Sequence, residues 1–328
     1  MAHLPDPLFP LDQQTAFEIF GAILDGAFAE DSLVAFLTAM AERDETSAEI
    51  AGAALAMRER MIRVHAPVGA IDVCGTGGDG AHSLNVSTAV AIVIASTGVP
   101  VAKHGNRAAS SKAGAADTLE ALGLDLDRAS DRAEASLNEL GLCFLFAQKH
   151  HPALKPLGPI RKRIGRRTIF NLLGPIANPA GVTRQLIGVA RPDFLPTYAG
   201  AIDRIGCDAA MLVSGDEPLD ELSIAGPSSL FRLGSIGFGA ERFEPAMAGL
   251  PRRPLAGLRG GDAAFNAAAL VRLLDGEAGA YRDAVLLNAA GALIVAGKAV
   301  SWREGVAAAA RAIDGGAARD LLARWIAY

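Results

Sequence analysis

Asp72-Val-Cys-Gly-Thr-Gly-Gly-Asp-Gly80, then Asn85-Val-Ser-Thr88, then Lys103-His-Gly-Asn-Arg107 read as a strand, a glycine turn, a helix start and a second strand ending in cations. Gly75, Gly77, Gly78 and Gly80 fall within six residues, so this backbone has little side chain to pack and must approach something closely. Successive N–H groups in such a turn, feeding a helix N-terminus, make an anion site. Gly75-x-Gly77-x-x-Gly80 also fits the dinucleotide fingerprint, whose further requirement is an acidic residue about 20 positions on. The next strand, Val99-Pro-Val-Ala102, instead ends in Lys103 and His104, and no Asp or Glu occurs between Gly80 and Ala116. A Walker A loop fails as well, because Ala81-His82 stands where Lys-Ser or Lys-Thr is needed. A phosphorylated ligand met by cations remains.

The 328 residues are 51% apolar and 20% charged, enough to bury a large core in one domain or two unequal ones. A net charge of −5 argues against a nucleic-acid binder with a global basic field. Cys74, Cys143 and Cys207 are widely spaced with no C-x-x-C, which suggests a reduced, cytoplasmic protein without structural zinc. The N-terminus lacks the features of a signal peptide, and the apolar stretch Ala89 to Ala95 is far shorter than the ~20 residues of a membrane span.

Residues from about Asp12 to Val64 read as three helices, the third opened by a Thr46–Glu49 capping box, and Ala66-Pro-Val-Gly69 reads as a linker. From Ile71 onward, short apolar runs alternate with helical stretches. Ala70–Val73, Val99–Ala102, Cys143–Phe146, Gln185–Val189 and Ala209–Val213 are the expected strands of a mostly parallel sheet. Between Pro152 and Pro179, five prolines and many cations suggest a crossover between domains. The tail from Asp283 to Tyr328 returns to alanine-rich helix.

Three groups of residues carry the chemistry. Ser87 and Thr88 fall at the start of an expected helix Ala89–Ser96, where capping by Asn85 or Ser87 and contact with a bound anion are compatible. Lys103, His104, Arg107 and Lys112, among Gly105, Ser110, Ser111 and Gly114, suggest a phosphate cradle rather than a solvated basic loop. A second acid-free window from Gly141 to Pro192 holds Lys149, Lys155, Arg161, Lys162, Arg163, Arg166 and Arg167, of which one or two are expected to recognise an anionic small molecule. Ser214-Gly-Asp-Glu-Pro-Leu-Asp-Glu-Leu-Ser223 adds two Asp-Glu pairs after an apolar strand, suited to Mg²⁺ bridging to substrate phosphates.

Together these blocks, with Arg167-Thr-Ile-Phe-Asn-Leu-Leu-Gly-Pro175, Leu219-Asp-Glu-Leu-Ser223, Asn288-Ala-Ala-Gly-Ala-Leu and Ala53-Ala-Leu-Ala-Met-Arg58, resemble the anthranilate phosphoribosyltransferases over nearly the whole chain, in order. The resemblance implies a nucleoside phosphorylase/phosphoribosyltransferase-like α/β fold. Its small N-terminal helical domain would span residues 1–66, with a helical contribution from about 152–180, and its larger α/β domain residues 70–328, with a mostly parallel central sheet. It implies a homodimer and a Mg²⁺-dependent reaction of 5-phosphoribosyl 1-diphosphate with anthranilate, with no nucleic-acid or membrane partner.

By the same resemblance, Gly75, Gly78, Asp79, Ser83, Asn85, Val86, Ser87 and Thr88 hold the diphosphate and its metal. Lys103, His104, Gly105, Asn106, Arg107, Ala108, Ala109, Ser110, Ser111 and Ala115 hold the rest of the donor. Ser87, Asp220 and Glu221 are the metal-associated residues, leaving Asp216-Glu217 as a decoy, and Asn106 and Arg161 contact anthranilate. No general base stands out; transition-state stabilisation falls to Lys103 and the metal-bound groups. Two departures are visible: Ala115 replaces a hydroxyl residue common in relatives, and Gln148 replaces a usual proline. The alternatives within this fold are a pyrimidine-nucleoside phosphorylase, whose lysine-serine phosphate pattern Lys103-His-Gly-Asn-Arg107 does not resemble, and a non-catalytic nucleic-acid-binding relative, expected to have lost the acidic pair.

Overall fold

A computed structural model describes residues 3–108, 112–217 and 219–328. The Thr46–Glu49 capping box forms as the sequence predicts, at the start of the third of three helices, α1 (Gln13–Leu24), α2 (Glu30–Glu42) and α3 (Ser47–Glu59). The buried Glu49 carboxylate also accepts the Leu11 N–H at 3.0 Å and pairs with Arg43, so its charge is neutralised and its oxygens are satisfied. Apolar residues of these helices, among them Phe20, Met40 and Ile50, share a core with Leu157, Ile160, Phe170 and Leu173. The 152–180 region therefore folds largely onto the N-terminal helices.

A seven-stranded sheet forms the body of the molecule, in the order β3-β2-β1-β4-β5-β6-β7. Its strands are β1 (Ile71–Gly75), β2 (Val101–Gly105), β3 (Leu142–Phe146), β4 (Arg184–Gly188), β5 (Ala209–Gly215), β6 (Ser228–Gly234) and β7 (Gly239–Phe243). The first five are mutually parallel, while β6 and β7 add as antiparallel strands at one edge. Ile187 and Leu212 point to the core shared with the N-terminal helices, whereas Leu186 and Met211 point to the opposite core. That second core is built with α4 (Val86–Ala95) and the buried helix Ala280–Val295. Alternation of this kind is what a sheet covered on both faces requires.

Three sequence expectations are corrected. The sheet gains the β6–β7 pair, which the apolar runs do not announce. Helix α4 begins at Val86 rather than Ala89, with Asn85 at the N-cap but no side-chain cap bond. Strand β2 runs through Gly105, so Lys103 and His104 are inside the sheet and buried, not in a loop beyond it. The chain leaves β1 toward β2 and β3, then returns to β4 on the other side of β1. This is the strand-order reversal at which α/β folds open a crevice beyond the carboxyl ends of their strands.

Candidate active site

The crevice beyond β1 and β2 opens into a cleft of about 620 Å³. Its floor is the turn after β1, where Gly77, Gly78 and Gly80 adopt φ of 65°, 72° and 74°, a left-handed conformation that glycine reaches without steric cost. Arg167 reaches over from the segment after helix Gly158–Ile164. Its Nη1 donates to the Gly77 carbonyl at 2.7 Å, and a Cβ on Gly78 would come within 2.8 Å of the same nitrogen.

The acidic wall comes from the segment after β5. The Gly77 N–H donates to Asp220 Oδ2 at 2.7 Å, and the Asp220 N–H donates to Asp79 Oδ2 at 3.3 Å. Two glycines admit this segment. A Cβ on Gly75 would lie 2.2 Å from Asp220 Oδ2, and one on Gly188 would lie 1.5 Å from the Asp220 carbonyl oxygen. Gly75 and Gly188 are register partners at the ends of β1 and β4. Gly188 was missed by sequence reasoning; the available signal was a second strand ending in glycine at the same level.

Lys103 stands opposite, projecting from β2 with its Nζ donating to the Val73 carbonyl at 2.9 Å and to Ser87 Oγ at 3.2 Å. Burial lowers its pKa, and the charge of Asp72 opposes that shift. Asp72 in turn accepts the His104 N–H at 3.1 Å and the Asn178 amide at 2.8 Å, a buried network that fixes the level of β2. Burial pushes the Asp220 carboxyl up, and Asp79 beside it adds to the effect. The Glu221 carboxyl is raised well above its usual range by burial, and then by the charges of Asp220 and Asp79. Glu221 Oε2 is buried with no hydrogen-bond partner.

The orphaned Glu221 oxygen, the Asp220 carboxylate and the Ser87 hydroxyl are oxygen donors of the kind Mg²⁺ takes, although the described residues hold no ready-made cluster of three or more metal-ligating side chains. Ser87, Asp220, Glu221 and Asn288 line a cavity of about 50 Å³ here. Of the other acidic pair, Asp216 accepts from Arg242 of β7 at 2.7 Å at the sheet edge, while Glu217 Oε2, like Glu221 Oε2, is buried without a hydrogen-bond partner.

The remaining predicted residues fall into distinct places. Gly75, Gly78, Asp79, Ser83, Asn85, Ser87, Lys103, His104, Gly105, Asn106, Arg107, Ala108, Ala115, Asp220 and Glu221 all line the cleft. Val86 is buried and lines only the small cavity, and Thr88 is buried beyond both. Arg107 is ion-paired with Asp117 and Glu120, so its charge is already compensated. Ala109, Ser110 and Ser111 lie outside the described residues. Arg161 is half-buried on helix Gly158–Ile164 and does not line the cleft. His104 Nδ1 contacts the Gly174 carbonyl at 2.9 Å while Nε2 is buried without a partner, and the ring lies 5.0 Å from that of His151. Burial lowers the His104 pKa to about 4, so this imidazole is neutral. His151 is a second residue that the sequence reading passed over.

A helical layer on a seven-stranded, mostly parallel sheet, with a glycine anion turn facing paired carboxylates, has known counterparts. Residues 9–61 match the glycosyl transferase family helical bundle domain, and residues 68–319 match that family's a/b domain. An anthranilate phosphoribosyltransferase of Novosphingobium aromaticivorans is 60% identical, the alignment covering 100% of this chain and 99% of the relative. One from Sphingopyxis alaskensis is 61% identical over 99% of this chain and 98% of its own. Among solved structures, the anthranilate phosphoribosyltransferase of Thermus thermophilus superposes with a TM-score of 0.92 at 42% identity, covering 97% of this chain and 96% of that one. The Saccharomyces cerevisiae enzyme in complex with PRPP and Mg gives 0.85 at 28% identity, covering 96% and 92%. The chain belongs to the anthranilate phosphoribosyltransferase family.

Proposed function

We propose that this protein transfers the phosphoribosyl group of 5-phosphoribosyl 1-diphosphate to the amine of anthranilate, giving N-(5-phosphoribosyl)anthranilate and diphosphate, a step of tryptophan biosynthesis. The observation that carries the reading is the convergence of the 75–80 glycine turn, Lys103 and the Asp220–Glu221 pair on one cleft.

The N–H groups of the glycine turn and the start of α4 receive the diphosphate. Lys103 Nζ, held between the Val73 carbonyl and Ser87 Oγ, places a desolvated positive charge beside it. As the anomeric C–O bond lengthens, its electron pair moves onto the diphosphate and the sugar carbon takes on oxocarbenium character. Preorganised N–H dipoles and Lys103 are worth most at that moment, because they need not reorganise. Ser87, Asp220 and Glu221 would hold Mg²⁺, which when bound would supply charge neutralisation to the departing phosphates. The acceptor amine then forms the C–N bond and releases its proton. No strong base is needed against a cationic carbon, so positioning of the arylamine dominates this half of the reaction.

Asn106 at the cleft and Arg161 on its helix are assigned to anthranilate, with the guanidinium paired to the carboxylate. Burial alone lowers the Arg161 pKa, with no carboxylate acting on it among the described residues, which supports this role. The reading divides the chain into a helical domain at 1–66, joined by the 152–180 region, and an α/β domain at 70–328. It also includes a homodimer, supported by the exposed apolar Leu8 and Phe9, and a cytoplasmic location, supported by three free thiols. The test is diphosphate release from the donor. Release should require anthranilate and a divalent cation together; release without anthranilate would make the protein a hydrolase or a transferase to another acceptor.

A further inference from the structure

Asp220 and Glu221 sit on an irregular segment, not on a strand or helix, and something must hold their backbone at the carboxyl end of the sheet. Besides the close approach at Gly75 and Gly188, one regular support is helix Ala280–Val295, whose Asn288 is 3% exposed. Asn288 Oδ1 accepts the Leu222 N–H at 3.0 Å, and Asn288 Nδ2 donates to the Leu222 carbonyl at 3.2 Å and to the Ala284 carbonyl at 2.9 Å. One amide side chain thus pairs with both main-chain groups of Leu222, as a neighbouring strand would, while its third bond ties it to its own helix. Leu222 is fully buried, so no water is available to replace those bonds. Asn288 also lines the small cavity beside Ser87, Asp220 and Glu221.

We infer that Asn288 is a positioning residue for the metal-binding carboxylates, holding the Asp220–Glu221 backbone in register with Ser87 through its paired hydrogen bonds to Leu222. The inference rests on the proposed Mg²⁺ role of that pair. The geometry explains why an amide is used. An aspartate at 288 keeps the acceptor for the Leu222 N–H, loses the donor for its carbonyl and adds a further negative charge to an acidic site. Leucine fills the volume but leaves both Leu222 groups unpaired. Neighbouring packing does not supply the same constraint. Leu293 on the same helix is 1% exposed and belongs to the apolar core, with no polar contact to the acidic segment.

The test compares Asn288→Ala, Asn288→Asp and the core control Leu293→Ala. Mn²⁺ binding is read by water-proton relaxation with phosphoribosyl diphosphate present and no acceptor, and thermal unfolding is followed in parallel. Outer partners of metal ligands typically contribute about 10–100-fold in metal affinity. Asn288→Ala should weaken Mn²⁺ binding by that order, and Asn288→Asp should weaken it too. Leu293→Ala should lower thermal stability while leaving the ion's affinity unchanged. Equal Mn²⁺ affinity in wild type and the folded Asn288 variants would overturn the inference, as would a matching loss in Leu293→Ala. Should Asn288→Ala fail to fold, Asn288→Asp decides alone. Wild-type protein that binds no Mn²⁺ would overturn the metal reading itself, and the inference with it.

Discussion

The backbone of Asp220 occupies the space a side chain at Gly188 would fill: a Cβ there would lie 1.5 Å from the Asp220 carbonyl oxygen. The smallest possible substitution, Gly188→Ala, must therefore push the acidic segment out of place. Its backbone need not change otherwise, since Gly188 is in extended strand. Loss of a preorganised charged group typically costs on the order of 10²–10³ in kcat, and a decrease of that size is expected. A variant retaining wild-type kcat would show that Asp220 does not have to sit where it is found.

Glu221 presents the opposite balance between stability and function. Its carboxyl is buried, crowded by Asp220 and Asp79, and has an unpartnered oxygen. Replacing it by glutamine removes like-charge repulsion at little change in volume. Glu221→Gln should raise the metal-free unfolding temperature by about 2–4 °C, the shift expected for about 1 kcal/mol in a protein of this size class, while weakening Mg²⁺ dependence. A lowered unfolding temperature in the absence of metal would contradict this electrostatic account.

Much of this arrangement was legible in the sequence, and the failures have physical causes. Strands β1, β3, β4 and β5 announce themselves as apolar runs because a doubly covered parallel sheet buries both faces. For β2 the apolar run Val99–Ala102 misplaced the strand, which extends through Lys103 and His104 because Asp72 and the Val73 carbonyl receive them inside the sheet. The β6 sequence Ser-Ser-Leu-Phe-Arg-Leu-Gly is half polar and so gave a weak signal. Two adjacent Asp-Glu pairs were indistinguishable by composition. The resemblance separates them; in the structure Asp216 is ion-paired with Arg242, while Glu217 and Glu221 each keep a buried unpartnered oxygen. Asn288 and Gly188 act through main-chain contacts across more than 30 residues, a relationship that no local spacing encodes.

Arg161 bears the acceptor assignment. A buried or half-buried charge-assisted hydrogen bond is worth about 1.5–3 kcal/mol, so Arg161→Ala should raise the anthranilate KM roughly 10–100-fold. The KM for the phosphoribosyl donor should stay near wild type. An unchanged anthranilate KM would move the carboxylate partner to a residue that does line the cleft.

Glu45 gives a pH signature away from the chemistry. It is 8% exposed with Oε1 unpartnered, and burial raises its pKa to about 7. The folded state therefore binds a proton more tightly than the unfolded chain, whose glutamate titrates near 4.5. Stability from this group falls as pH rises from about 4.5 to about 7 and stays reduced above it. Glu45→Gln should be more stable than wild type at pH 8, by on the order of 2 kcal/mol. The two should converge near pH 4, as followed by urea unfolding. A difference that does not vary with pH would refute the burial argument.

The most direct measurement is the loss of anthranilate fluorescence on mixing the protein with anthranilate and 5-phosphoribosyl 1-diphosphate, with and without Mg²⁺. A decay that requires both the donor and Mg²⁺, and that disappears in Asp220→Asn, is the predicted result. Unchanged fluorescence with the donor demonstrably bound would contradict the assignment of anthranilate as the acceptor.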